Sequence, residues 1–393
     1  MKKIILICVF IFCLTGCGNY RELNDMAIVT GVSIDKNGDK YELGFLIANA
    51  PKVETSSKEG EAQTTVYTAT GKTIALAASN LDYKSPKKLY FGHINVVIIS
   101  EGIGKNGFFK VADYFLRHYE SRKRFFLMQA KDNKAKDILK TISPLESFPS
   151  QSIASLIKSN KEAQSVVESV DYSTFTSRIL EKGYDPMLPA VTLVGSPKKA
   201  EKSKNIESTE PEAYLKLANV AVYKDDKFIG YTGFKEGQAV SIVNSNVTEF
   251  KTSFNYKNEN VGFTVEDLKS KVMVRSSNEI SISIKGRGFI TEINDDVDLE
   301  NPKIILKMEK VLNKKIENNI KQTIYNMQSI YKADVFGFGN KVYKKYPKVW
   351  KKLEKKWYTT YFPNLKINID SNIVINSTGS LDKTIKEVKK WKK

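Results

Sequence analysis

Cysteine is nearly absent from this chain. Its 393 residues hold only Cys8, Cys13 and Cys17, so nothing beyond residue 17 can form a disulfide and every later core must be held by packing alone. Histidine is as scarce, with His93 and His118 only. Two isolated histidines without thiols do not make a zinc set, so no metal and no cofactor is expected. There is no Gly-x-Ser-x-Gly elbow and no cysteine nucleophile past the leader. Gly102-x-Gly104 has no acidic residue about twenty positions on, where Arg124 stands, and reads as a helix-entry turn rather than a dinucleotide loop. No enzyme is expected. Past the first apolar run, no stretch reaches about 18 consecutive apolar residues, so no membrane-spanning helix is expected.

That first run is the most specific signal present. Lys2 and Lys3 precede the apolar residues Ile4 to Phe12, and the run ends in Leu14-Thr15-Gly16-Cys17. A basic start, a short apolar core and a small residue before cysteine describe a lipoprotein signal peptide. Cys17 is the group suited to carrying the diacylglyceryl thioether, and acyl chains would be the covalent hold on a membrane.

The formal charge is +18. Arginine supplies little of it, at Arg21, Arg117, Arg122, Arg124, Arg178, Arg275 and Arg287, and the rest is lysine. Base reading favours arginine, and no nucleic-acid motif appears, so no nucleic-acid partner is expected. The excess reads as a lysine-rich compositional habit, with adhesion to an anionic membrane surface as the second reading.

The hydropathy pattern predicts an α+β (mixed α/β) protein with antiparallel and mixed sheets. Ile28–Ile34 and Tyr41–Ile47 alternate around Asn37-Gly38, a hairpin signal. A loop is expected over 51–63 and a helix over 72–81. The Val96–Ile99 run suits a strand buried on both faces. Helices are expected over 106–119, 133–140 and 150–169, with a strand from Phe125 to Ala130 and an apolar stretch from Met187 to Val194. Residues 196–211, lysine- and serine-rich between Pro197 and Pro211, read as a linker. A second unit is expected to open with the hairpin Leu217–Tyr223 and Phe228–Thr232. Ile305, Met308, Leu312, Ile316, Ile320, Ile324 and Met327 recur at helical steps, predicting a long amphipathic helix from Pro302. A further helix should begin near Pro347, with Trp350, Leu353 and Trp357 on one face. Leu365, Ile367, Ile369, Ile373 and Ile375 all fall on odd positions, predicting a final strand. The resulting division is a leader (1–16), a tether (17–26), an N-terminal α/β domain (27–195), a linker (196–213), a middle β-rich domain (214–291) and a C-terminal α/β domain (292–393).

Two internal constellations stand out. Arg117, Arg122 and Arg124 cluster at a helix end and the start of the next strand. A solvated cationic end fits them, and a docking patch for an acidic partner loop is the functional alternative. Asp334-Val-Phe336-Gly337-Phe-Gly339 combines two conformationally free glycines with two aromatics. A tight buried connection between helices is preferred over a partner-facing surface. Glu22 and Asp25, beside the anchor, are expected to fix the start of the first domain.

These strings carry a resemblance. Cys17 to Asp35, including Arg21, Glu22, Asn24 and Asp25, resembles the start of the Ger(x)C spore-germination lipoproteins, the C subunits of nutrient germinant receptors. Phe91 to Ser100, Ala221 to Gly230 and Asp334 to Gly339 with Pro347, Trp350 and Trp357 resemble further stretches of that family, in order along the chain. The chain departs from the family where Gly18-Asn19 replace a usual Trp-Asp and Asn340 replaces a common Glu. The resemblance implies a three-domain, non-catalytic lipoprotein on the outer face of the inner spore membrane. Its implied partners are integral-membrane A and B receptor subunits, and its implied role is assembly and coupling of nutrient sensing to germination. A solute-binding lipoprotein of an importer, with a cleft between two lobes, is the alternative from another class.

Overall fold

The computed structural model describes residues 25–49, 63–117, 122–164, 170–207, 209–257, 259–293 and 297–377. In chain order its elements are the strands Met26–Asn37 (β1), Lys40–Ala48 (β2) and Thr64–Gly71 (β3), helix Ile74–Asp82 (α1), strands Lys88–Tyr90 (β4) and Val96–Ile99 (β5), and helices Glu101–Asn106 (α2) and Phe109–Arg117 (α3). Strand Phe126–Ala130 (β6), helices Ala135–Leu139 (α4), Pro149–Gln164 (α5) and Tyr172–Leu180 (α6), strand Met187–Val194 (β7) and the short helix Pro197–Ala200 (α7) follow. Then come strands Tyr214–Lys224 (β8) and Lys227–Thr232 (β9), helix Phe234–Val243 (α8), and strands Phe250–Tyr256 (β10), Glu259–Ser276 (β11) and Glu279–Ile293 (β12). Helices Pro302–Asn326 (α9), Phe338–Lys345 (α10) and Pro347–Leu353 (α11) and strand Lys366–Ser377 (β13) complete the described chain.

Two mixed sheets organise these elements. The first runs β3-β2-β1-β5-β6-β7-β8-β9, with β4 beside β1. Its centre is parallel, from β1 through β5 and β6 to β7, and both flanks are antiparallel hairpins. Val96, Val97, Ile98 and Ile99 are all buried, because helices cover both faces of the parallel centre. Gly38, with φ +58°, turns β1 into β2, as the Asn37-Gly38 signal predicts.

The hairpin expected over 217–232 forms as β8 and β9. β8 pairs antiparallel with β7, Leu188 opposite Ala221 and Thr192 opposite Lys216, so it extends the first sheet. The segment expected as a linker, 196–213, joins β7 to β8. Asn205 is buried there and exchanges two hydrogen bonds with the Ala213 backbone, at 2.8 and 2.9 Å. Polar side-chain bonding thus orders a segment whose composition reads as linker.

The second sheet is β10-β11-β12-β13, with β12 and β13 parallel. Helix α9 lies on it and buries Met308, Leu312, Ile316, Ile320 and Ile324, the predicted stripe. Burying each such side chain contributes on the order of 2 kcal/mol. The helix also covers the edge of β13. Ser371, Ile373 and Ile375 donate their backbone N–H groups to Glu317, Asn313 and Glu309 at 3.2, 2.8 and 2.8 Å. These acceptors sit four residues apart on one helix face, so the helix occupies hydrogen bonds that would otherwise template another strand.

Candidate functional site

The Asp334–Gly339 segment is buried where the two sheets meet. α9 ends in a π-turn over Met327–Tyr331, and Lys332 takes φ +51° to reverse the chain. Asp334, Phe336 and Phe338 follow, each at most 1% exposed, and the two rings stack with centroids 4.9 Å apart. Gly337 has φ +64° and precedes the first residue of α10. The Asp334 carboxylate accepts from Phe338 N (3.0 Å), Gly339 N (2.7 Å) and Trp357 Nε1 (3.2 Å). It therefore sits on the N-terminus of α10, where the helix dipole and unpaired N–H groups favour a carboxylate.

The partner carboxylate is Asp185, from the loop entering β7. Asp334 N donates to Asp185 Oδ2 at 2.7 Å, and Asp185 N donates back to the Asp334 carbonyl at 3.0 Å. Asp185 Oδ1 accepts from Asp225 N at 2.9 Å, and the Tyr358 hydroxyl donates to the same carboxylate. Asp225 lies in the β8–β9 turn. Its neighbour Asp226 caps α3, accepting from Phe109 N at 3.0 Å. One turn of the first sheet thus touches both the first domain's helix layer and the junction.

Small residues permit this closeness. A Cβ on Gly337 would lie 2.8 Å from the Tyr184 ring, and one on Gly339 would lie 2.8 Å from both Trp350 and Trp357. Gly183, with φ +62°, backs onto Gly339, and its carbonyl accepts from Asn340 N at 3.1 Å. Trp350 and Trp357 pack together, with centroids 5.1 Å apart.

Burial pushes Asp334 up to about 7 and Asp185 up to about 6, and each value is held down in part by the N–H donors. The Asp185 charge adds to the rise at Asp334. Burial also raises the Tyr358 hydroxyl, followed by the charges of Asp185 and Asp334. The donors around both carboxylates are neutral backbone, indole and phenol groups, arranged with the oxygens already satisfied. Such a closed cage can hold two halves of a fold in register. Grooves of about 690, 800 and 460 Å³ elsewhere on the surface are lined by other residues.

The remaining predicted residues are placed differently. Cys17, Arg21, Glu22 and Asn24 lie outside the described residues, and Asp25 is exposed just before β1. Arg117 ends α3 and donates through Nε to both Asp113 oxygens at 2.9 Å, with both side chains exposed. Arg122 and Arg124 are exposed in the turn before β6. The structure brings Asp334, Phe336, Gly337, Gly339, Trp350 and Trp357 together and leaves the arginines at the surface. Gly183, Tyr184, Asp185 and Tyr358 belong to the junction without a motif marking them. The available signal was Asp185-Pro186 set directly against the apolar run at Met187.

Residues 19–193 match the model described as "Spore germination protein N-terminal domain", and residues 218–379 match "Spore germination B3/ GerAC like, C-terminal". Spore germination protein KC of Bacillus subtilis (strain 168) is 27% identical, with 97% of each chain covered. Spore germination protein B3 of the same organism is 23% identical over 94% of this chain and 96% of that one. The crystal structure of the GerBC protein has the same fold, with a TM-score of 0.50 and 19% identity over 88% of this chain and 96% of that one. With both halves matched in order, the chain belongs to the GerAC-like family of spore germination proteins.

Proposed function

We propose that this chain is the non-catalytic, lipid-anchored C subunit of a nutrient germinant receptor, acting in receptor assembly and in coupling nutrient sensing to germination. Cys17 carries the acyl anchor, and integral-membrane A and B subunits are the partners. The protein stands on the outer face of the inner spore membrane. The observation that supports this most is the filled junction between the sheets. Where a solute-binding protein would keep a cleft, Trp350, Trp357, Phe336 and Phe338 are buried against one another. A body locked in this way is suited to passing contacts between partners, and the exposed Arg117, Arg122 and Arg124 offer a surface for an acidic partner loop.

The test is crosslinking in spore membranes, followed by identification of the attached proteins, for the wild type and Cys17→Ala. The wild type is expected in the membrane fraction, crosslinked to two multi-pass subunits. Cys17→Ala is expected to leave that fraction and lose the crosslinks. A variant that fractionates and crosslinks like the wild type would contradict the anchor, and absence of integral-membrane partners would contradict the subunit role.

A further inference from the structure

The lysine excess is concentrated at one place. Between Lys341 and Lys356 stand eight lysines and a single acid, Glu354. Lys341, Lys344 and Lys345 of α10 face Lys271 and Arg275 of β11 across a groove of about 690 Å³. Val272, Met273 and Val274 line the same groove, and no carboxylate does. Lys345 Nζ donates to the Val274 carbonyl at 2.6 Å, and Arg275 Nε donates to Ser281 Oγ at 3.0 Å. The remaining amines have no carboxylate in ion-pair reach among the described residues. Lys341 is partly buried, and burial, then the charge of Lys344, lowers its affinity for its proton against the pull of Asp334 and Glu181. Like charges crowded on a half-dry wall are unfavourable without an anion to offset them.

The residue types narrow the anion. Four of the five cations are lysines, compact point charges of the kind that bind phosphate. The Tyr346 hydroxyl reaches the Arg275 carbonyl at 3.4 Å, and Val349 is 38% exposed among Lys348, Lys351 and Lys352. Apolar and aromatic groups set among lysines are the pattern of a surface that lies against headgroups.

We propose that the groove between α10 and the Lys271–Arg275 segment of β11 binds a phosphate group, presented on an anionic phospholipid headgroup or as a free anion. The inference does not depend on the acyl anchor or on the receptor partners.

The test uses the full chain with vesicles of phosphatidylcholine alone and of phosphatidylcholine with one quarter phosphatidylglycerol. The neutral vesicles measure whatever the apolar leader contributes, and the increment on anionic vesicles is the readout. Lys271→Gln/Lys341→Gln/Lys344→Gln is compared with Lys303→Gln/Lys310→Gln/Lys321→Gln, which removes the same charge from the exposed side of α9. A double variant, Lys271→Gln/Lys344→Gln, touches only exposed side chains and stands in if the triple fails to fold. At about fivefold per lysine, the increment should fall by about a hundredfold in the groove triple and about 25-fold in the double, with little change in the α9 control. A parallel titration of inorganic phosphate separates the sources. Groove-dependent vesicle binding identifies a headgroup, and groove-dependent saturation by phosphate with no vesicle preference identifies a free anion. Equal losses in the groove and control variants would overturn the proposal, since charge would then act diffusely. Groove-dependent binding of a polyglutamate peptide with neither phosphate arm would also overturn it, reassigning the groove to an acidic protein segment.

Discussion

At Asp334 a carboxylate is fully buried and answered by neutral N–H donors, while at Arg117, Arg122 and Arg124 three guanidinium groups stand in solvent. Both regions carry charge on a helix end, and both were singled out by composition. They differ in what water does for them. Outside, hydration supports each cation at no cost to the fold, so such charges can be exchanged freely and are available to partners. Inside, the carboxylate keeps its place only because each donor is aimed at it, so removing it strands those donors. The interior carboxyl therefore serves the fold through its hydrogen bonds, and the exterior charge is free to serve recognition.

The hardest way to break the contrast is Asp334→Ala. It would leave Phe338 N, Gly339 N and Trp357 Nε1 without their acceptor in a dry site, at about 4 kcal/mol. Equilibrium denaturation should show that loss. Next is Gly337→Val, which forces a β-branched residue to φ +64° against the Tyr184 ring. About 3 kcal/mol is expected, from strain and overpacking together, read by the same method.

A gentler probe is pH. Both carboxyls titrate higher in the folded chain than the 3.8 of an exposed aspartate, at about 6 for Asp185 and about 7 for Asp334. Between about pH 4 and 7 the unfolded chain has released protons that the native state still holds. The junction's contribution is therefore full below about pH 4 and is lost as pH rises through 7. The thermal midpoint should fall from pH 5 to pH 8, and Asp334→Asn should flatten that slope. A slope unchanged in the Asn variant would place the titration elsewhere.

How much of this was legible depends on the kind of signal. The β1–β2 hairpin, the α9 stripe and β13 were readable because each presents a period, 2.0 or 3.6, over many residues. Gly337 and Gly339 were readable as a tight connection because two glycines among aromatics leave few other uses. The place of β8 was not readable, because alternation shows that a strand exists and not which sheet receives it. Nor was Asp185 paired with Asp334. The two lie 149 residues apart, and a buried acid satisfied by backbone N–H groups requires no complementary residue that a pattern could reveal. The tie between Asn205 and Ala213 was hidden for the same reason, since an asparagine bonded to backbone needs no complementary side chain.

The smallest effect on stability is expected from the exterior charges, and it carries the most direct test of the whole account. Arg117→Glu/Arg122→Glu/Arg124→Glu should shift unfolding by no more than about 0.5 kcal/mol beyond the small loss of the Arg117–Asp113 pair. Spore membranes carrying this variant would be solubilised, and the receptor subunits that co-purify with the chain measured against the wild type. The account predicts normal levels of folded chain with at least a tenfold drop in co-purifying subunits. Undiminished co-purification, or loss of the chain itself, would contradict it.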